Sequence, residues 1–309
     1  MGKALVVGSL AFDVIFTIHG SIKDEIIVGE NGDVADLSMM FTANGRKKFY
    51  GGTGGNIAYG LGLLNKKPQL FSVAGHDFVQ DYSQHLKEAG VDLKVHIIKN
   101  QFTATFYGIS DEKNHQIGIW QPDAYGDWIA KVPLSNQLSR KELEEVEIAI
   151  FPPGTGESTS NHMHEFRQVN KNAKVIFDPS QVMTIFYSPE KLKECLSYSD
   201  IFIGNETEVS QLKSHFGLEP KDLFALGLEA VIETKGANGS IVHLPEKKQE
   251  VEAVKADAVV ETTGAGDAYR AGLISGMLEG KSLKESARIG AEVAAKSVAE
   301  YGGQMYKLD

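Results

Sequence analysis

The chain has 309 residues, 42% hydrophobic and 23% charged, which is the composition of a folded protein with one large domain, or one domain and a smaller attachment, not of a disordered segment. Its formal net charge of −10 lacks the basic footprint that general nucleic-acid binding needs, and any phosphate site would have to rely on local backbone dipoles and a divalent metal. The single cysteine, Cys195, excludes an internal disulfide and a Cys-built metal centre and fits a reducing, cytoplasmic setting.

From the N-terminus, Lys3 precedes an apolar run from Ala4 to Phe12 that Asp13 ends with no cleavage signal behind it. A buried first strand is expected there, centred on Leu5-Val6-Val7-Gly8, and not a signal peptide. No apolar stretch reaches the roughly 18 residues of a membrane span. Val14 to Tyr50 carries strand-like pieces and no convincing helix. Gly55 to Leu64 reads as a helix, Leu70 to Ala74 as a strand, and Tyr82 to Ala89 as a helix stopped by Gly90. Thr103 to Trp120 alternates around Asp111-Glu112-Lys113-Asn114, as a hairpin does. Strands then follow at Ile148–Phe151, Lys174–Phe177, Asp200–Ile203 and Glu229–Glu233, with helices at His162–Asn170, Pro189–Tyr198, Glu206–Phe216 and Ala268–Leu278.

This alternation predicts an α/β fold with a doubly wound, mostly parallel sheet. Gly8, Pro152-Pro153-Gly154, Asp178-Pro179, Gly204-Asn205 and Lys235-Gly236 each follow a predicted strand and can share the rim where such folds hold ligands. The two irregular stretches, residues 13–50 and 101–120, are expected to form a small β lid on a core of residues 1–12, 51–100 and 121–309.

Three tempting patterns fail. Gly276 to Ser282 imitates a P-loop but is one residue short and ends a helix instead of opening one, so Gly280 reads as a helix stop. Gly60-Leu61-Gly62 lacks a third glycine at Asn65, which disfavours a nicotinamide dehydrogenase. His162 and His164, with only Glu165 nearby, read as a solvated helix start in preference to a metal site.

Four constellations carry chemistry. Gly51-Gly52-Thr53-Gly54-Gly55-Asn56 lets the backbone approach a ligand and adds an amide at Asn56; it also suits a hinge between lid and core. Asn205 and Glu208 lie three apart at a helix start, where they serve equally as a capping box or as the acidic shell of Mg²⁺ held through water. Asp13, breaking an apolar run, is an acceptor for a sugar diol or a turn cap. Glu261-Thr262-Thr263-Gly264-Ala265-Gly266-Asp267 feeds a helix whose unpaired amides and dipole favour an anion, with Asp267 in reach as a base. Read alone, that last stretch is equally a capped helix.

In order and spacing, the glycine block at 51–56, Asn205 with Glu208, Thr234-Lys235-Gly236 with Gly239, and Thr263 to Asp267 together resemble the ribokinase-like (phosphofructokinase-B type) sugar and nucleoside kinases. Gly8-Ser9 with Asp13, Thr103-Ala104-Thr105-Phe106, Asp178-Pro179-Ser180-Gln181 and Gly266 to Gly272 are most similar to the bacterial adenosine kinases in that family. The resemblance implies ATP-dependent phosphorylation of a nucleoside 5′-hydroxyl, adenosine above all. It makes Asp267 the base and the Gly264, Ala265 and Gly266 amides the anion hole. Asp13, Gly52 and Asn56 would hold the ribose; Ser9, Phe106 and Gln181 would surround the base ring. Asn205, Thr234, Gly236 and Gly239 would contact ATP, and Glu208 would order the Mg²⁺ shell. Glu261 stands where relatives carry an aspartate in a region that helps bind a monovalent cation, so K⁺ dependence stays open. Another nucleoside, a sugar such as ribose or fructose, and a catalytically silent nucleotide-binding regulator remain the alternatives. The lid's strand edges leave a homodimer open as well.

Overall fold

The alternation of strand and helix resolves into a nine-stranded sheet in the computed structural model, which describes residues 2–25, 27–28, 34–36, 40–113 and 115–308. Residues 26, 29–33 and 37–39 of the expected lid, and Asn114 of its hairpin turn, lie outside the described residues. The strands are β1 (Lys3–Val7), β2 (Ala11–Ile18), β3 (Ile27–Val28), β4 (Val34–Asp36), β5 (Ala43–Gly51), β6 (Gln69–Gly75), β7 (Asp92–Ile98), β8 (Ala104–Ser110), β9 (Gln116–Gln121), β10 (Val146–Phe151), β11 (Lys174–Phe177), β12 (Ile201–Asn205), β13 (Ala230–Thr234), β14 (Ser240–His243) and β15 (Lys248–Val251). The large sheet has the order β15-β14-β13-β12-β11-β10-β1-β6-β7. From β13 across to β7 every pairing is parallel, and β14 and β15 are antiparallel additions at one edge.

Both faces of that sheet are covered, so its strands are apolar on both sides. Ala4 and Val6 of β1 point into one core with Ile57, Leu61, Leu273 and Ile274 of the Thr53–Leu63 and Ala265–Leu278 helices. Leu5 and Val7 point into the other, with Met163 and Phe166 of the Gly156–Val169 helix and Leu192 and Leu196 of the Pro189–Ser197 helix. Chain order reverses between β1, which leads on to β6, and β10 on its other side. Such a switch point opens a crevice at the carboxyl ends of the strands. There Gly8 lies so close to Pro152 and to Gly54 that a Cβ on it would come within 2.5 Å of the proline ring and 3.0 Å of the Gly54 Cα.

The second sheet has the order β5-β2-β8-β9. Asp13 pairs with Phe49 and Phe106, and Phe106 with Trp120, so these four side chains share one face. The Phe106 ring lies over Gly108 and Gly118, where added Cβ atoms would meet it at 3.2 and 2.6 Å.

Several expected boundaries move, each for a physical reason. The glycine block is mostly helix, because the Thr53–Leu63 helix starts within it, capped by Gly52 at φ 83°. The helix expected from His162 begins at Gly156, where the Thr155 hydroxyl accepts the Ser158 N–H. His162 is therefore mid-helix and is not a solvated helix start. It is buried, its Nε2 bonds to the Val132 carbonyl at 2.9 Å, and burial holds its pKa below the usual imidazole value. His164 is the member of that pair that sits at the surface, beside Gln168. The Leu283–Ser297 helix, closed at its start by a Ser282–Glu285 capping box, packs against the Ala265–Leu278 helix and has no counterpart in the sequence reading. Among the described residues no helix is long and apolar enough to cross a membrane.

Candidate active site

Gly264 opens the Ala265–Leu278 helix in the left-handed region, at φ 80°. A side chain there would be strained, and its Cβ would stand 2.7 Å from the Gly303 Cα. With Gly264 as the cap, Asp267 falls in the first helical turn and is free of the capping role that its residue type favours. The Ala265 N–H donates to the Thr262 carbonyl at 3.2 Å. The Gly266 and Asp267 amides belong to the first turn, whose donors have no acceptor within the helix.

Asp267 accepts a hydrogen bond at Oδ2 from Asn56 Nδ2, 2.8 Å away on the Thr53–Leu63 helix. Burial pushes its pKa up to about 7, while the Arg270 guanidinium and the Asn56 amide pull it back. Arg270 is itself buried, doubly hydrogen-bonded to the buried Asp178 at the end of β11, and donates to the Gly266 carbonyl at 2.9 Å. This ion pair ties the turn to the rim of the sheet; Asp178 lay in a sequence block already singled out, but its partner was not foreseen.

Asp13, on β2, is the second perturbed carboxyl. Burial pushes it up to about 7, with repulsion from Glu261 and Asp267 adding to the shift. Glu261 and Asp267 both belong to the stretch that opens the Ala265–Leu278 helix. Gly51 leaves the room Asp13 needs, since a Cβ there would lie 2.3 Å from Asp13 Oδ2. Gly52 holds its turn against Ser9 and Ala11, and the Ser9 hydroxyl accepts the Thr53 N–H at 3.2 Å. Phe106 neighbours Asp13 in register. Gln181 is exposed, in the short turn Ser180–Val182 after β11.

On the other side of the rim, Asn205 pairs with Thr234 at the ends of β12 and β13. Asn205 and Glu208 form a reciprocal capping box, with the Glu208 carboxylate accepting the Asn205 N–H at 2.7 Å and the Asn205 side chain accepting the Glu208 N–H at 2.9 Å. The other Glu208 oxygen accepts from Ser180 at 3.3 Å, and burial holds its pKa above the usual carboxylate value. Gly236 and Gly239 bracket a tight turn in the left-handed region, closed by the Lys235 N–H donating to the Gly239 carbonyl at 2.8 Å. Among the described residues no cluster of three or more His, Cys, Asp or Glu could cage a metal ion.

The pattern that describes the pfkB family of carbohydrate kinases matches residues 3–308. The chain belongs to that family. The nucleoside kinase of Methanocaldococcus jannaschii is 29% identical over 306 residues, covering 98% of this chain and 93% of that one. A crystal structure of M. jannaschii nucleoside kinase, an archaeal member of the ribokinase family, matches with a TM-score of 0.86 at 26% identity, covering 99% and 95% of the two chains. The Burkholderia thailandensis nucleoside kinase in complex with inosine matches with a TM-score of 0.80 at 25% identity, covering 98% and 93%. The protein is thus an ATP-dependent phosphotransferase with the ribokinase fold.

Two residues at the heart of this kinase went unread in the sequence. Gln304 donates from Nε2 to Asn56 Oδ1 at 2.9 Å and to the Tyr82 hydroxyl at 2.5 Å; Tyr82 in turn donates to the Gly51 carbonyl at 2.6 Å. Gly302-Gly303 before Gln304 was the available signal, because a glycine pair marks a close backbone approach: a Cβ on Gly303 would lie 2.6 Å from Asn56 Nδ2. The Glu261 carboxylate accepts the Gly302 N–H at 2.8 Å and so holds the same segment from the other side.

Proposed function

We propose that this kinase phosphorylates the 5′-hydroxyl of a nucleoside, adenosine before others, with Asp267 as the base. One observation carries the nucleoside reading: on a single face of the second sheet, Asp13 stands in register with Phe106, and Phe106 with Trp120. A carboxylate suits a ribose diol and a flanking aromatic pair suits a planar purine, whereas a free sugar has no use for the rings. Trp120 is exposed and Phe106 half-buried, so both retain apolar surface to cover.

In this reading Asp13, Gly52 and Asn56 hold the ribose while Ser9, Phe106 and Gln181 surround the base. Asp267 takes the proton of the 5′-hydroxyl as its oxygen bonds to the γ-phosphorus; the bond from that phosphorus to the β,γ-bridging oxygen breaks and ADP leaves. The Gly264, Ala265 and Gly266 backbone faces the charge that develops, Ala265 by giving up its bond to Thr262. Preorganised amides of this kind contribute roughly 10²–10³ each in rate. Asn205, Thr234, Gly236 and Gly239 line the ATP side.

The carboxylates present suit Mg²⁺ only as an ion that keeps its waters and leans on the nucleotide. Both Glu208 oxygens already have protein partners, and an ion that dehydrates reluctantly is commonly held by one or two carboxylates plus phosphates. Mg²⁺ would neutralise charge on the transferring phosphate, and Glu208 would orient its water shell. The exposed Ile119 and Tyr107 beside the β9 edge support a homodimer through the second sheet, which sedimentation of the purified protein tests.

The deciding experiment is ADP release across adenosine, inosine, pyrimidine nucleosides, ribose and fructose with ATP and Mg²⁺. Turnover highest with a purine nucleoside is expected. Turnover of sugars without nucleosides would overturn the reading, and tight nucleoside binding with no ADP release on any acceptor would make the chain a silent binder instead.

A further inference from the structure

Gln304 is 1% exposed and comes from the C-terminal segment, far in sequence from every motif of the site. Its amide nitrogen has two hydrogens, and the two contacts already named use both. The Tyr82 hydroxyl has one hydrogen, committed to the Gly51 carbonyl, so it meets Gln304 as an acceptor. Burial raises the Tyr82 pKa well above the usual phenol value, which keeps that hydrogen in place. With the Tyr82 hydrogen on Gly51, Gln304 continues the chain of hydrogen bonds by presenting its nitrogen to Tyr82 and Asn56, and its own buried oxygen has no hydrogen-bond partner among the described residues. Asn56 must then present its oxygen to Gln304 and its nitrogen to Asp267.

We propose that Gln304 is a positioning residue for phosphoryl transfer, setting the amide of Asn56 so that an N–H, never a carbonyl oxygen, faces the Asp267 carboxylate. The chain starts at Gly51, the last residue of β5 in the second sheet, and ends on the group proposed to take the acceptor's proton. Without Gln304 nothing distinguishes the two ends of the Asn56 amide by hydrogen bonding at Oδ1, and the flipped amide would set an oxygen against a carboxylate. Removing the N–H disfavours the ionised carboxylate, the form a base needs.

The proposal rests on Asp267 being the base, and the test separates the two. Gln304→Met keeps length and volume but removes both donors. We expect kcat to fall roughly 10-fold, within the range known for residues that act through a neighbour, and the acceptor KM to rise as well, since Asn56 is also proposed to touch the ribose. The acid limb of kcat should move to higher pH than in the unaltered kinase. Gln304→Glu, which can only accept from Asn56 and so enforces the flip, should fall further, roughly 100-fold, with a larger displacement of the same limb. A Gln304→Met variant with unchanged kcat, or with reduced kcat and an unmoved limb, would overturn the proposal, as would Gln304→Glu being the milder change. Should either variant not accumulate as folded protein, the other carries the test alone, since each predicts a displaced limb. Normal turnover by Asp267→Asn would instead remove the assignment of the base, whatever Gln304 does.

Discussion

Two carboxyls in two parts of the molecule are pushed to the same value, about 7, and only one of them has its partners already in place. Asp267 sits at a helix start fastened to the large sheet, with the Arg270 guanidinium beside it and an N–H donated by Asn56. Asp13 sits on the second sheet among other acids, and burial and repulsion from Glu261 and Asp267 are what shift it. A carboxyl held by a rigid network is ready for chemistry. One left among like charges gains when a hydroxyl ligand arrives to donate to it. Under the proposed function, the first region governs kcat and the second KM.

The largest effect expected from that division is at Asp267. Asp267→Asn keeps the shape and the contact with Asn56 but removes the base, and should lower kcat by roughly 10²–10⁴ while the nucleoside dissociation constant changes little. Equilibrium binding and initial-rate kinetics on the same preparation check both halves. A variant that loses binding and turnover together would erase the distinction between the regions.

Asp13→Ala should do the reverse. Losing a charge-assisted hydrogen bond to the ribose is worth about 1.5–3 kcal/mol, so the acceptor KM should rise roughly 10- to 100-fold with kcat within about 3-fold. An unchanged KM would detach the second sheet from acceptor binding.

Much of the division was legible in the sequence. Strand runs such as Leu5 to Gly8 and Ile148 to Phe151 signal a doubly covered parallel sheet because both faces must be apolar, and β1 and β10 lie within two residues of those runs. Glycines reveal close approaches, and Gly264 occupies the left-handed cap that its neighbours require. What the sequence does not carry is partnership across distance. Asn56 reads as a ligand-binding amide, yet in the fold its two ends are engaged by Asp267 and Gln304, residues 211 and 248 positions away. The Arg270–Asp178 pair is equally invisible, because Arg270 lies within an apolar helix pattern and only the fold brings it within reach of Asp178, 92 positions away. His162 is hidden from the sequence for a related reason: its burial depends on where the helix begins, and the Thr155 cap seven residues before it sets that start.

The next effect is on stability and follows from the sign of both shifts. A carboxyl whose folded pKa exceeds its ordinary value of 3.8 binds its proton more tightly in the folded state. Its stabilising contribution is complete below about pH 4 and is lost as pH rises through about 7. Because both groups are only half-buried, water screens the cost of ionising them, and about 1 kcal/mol per group is the expected loss. The ligand-free kinase should therefore melt a few degrees lower at pH 8 than at pH 5.5, to the extent that these two groups set the trend, and Asp13→Asn should recover about 2 °C at pH 8 and about half of that at pH 5.5, where part of the loss has already occurred. Equal recovery at both values would mean that the charge on Asp13 costs nothing in the folded protein.

The smallest effect concerns monovalent cations and the segment that joins the two regions. Val260 and Glu261 donate their N–H groups to the Val298 carbonyl at 2.8 and 3.3 Å, and the Glu261 carboxylate reaches the Gly302 N–H at 2.8 Å. The extra methylene of Glu261, compared with an aspartate, is what lets the side chain span that gap. The turn before Asp267 is thus braced against residues 298–302 by bonds within the chain. Exchanging K⁺ for Na⁺ at constant ionic strength should then change kcat/KM less than about 2-fold, and Glu261→Asp, which withdraws the carboxylate from Gly302, should make the rate more sensitive to the cation present. Strong K⁺ activation of the unaltered kinase would mean that the brace is incomplete and that the region around Glu261 still depends on an ion to hold the Gly302–Gln304 segment against Asn56.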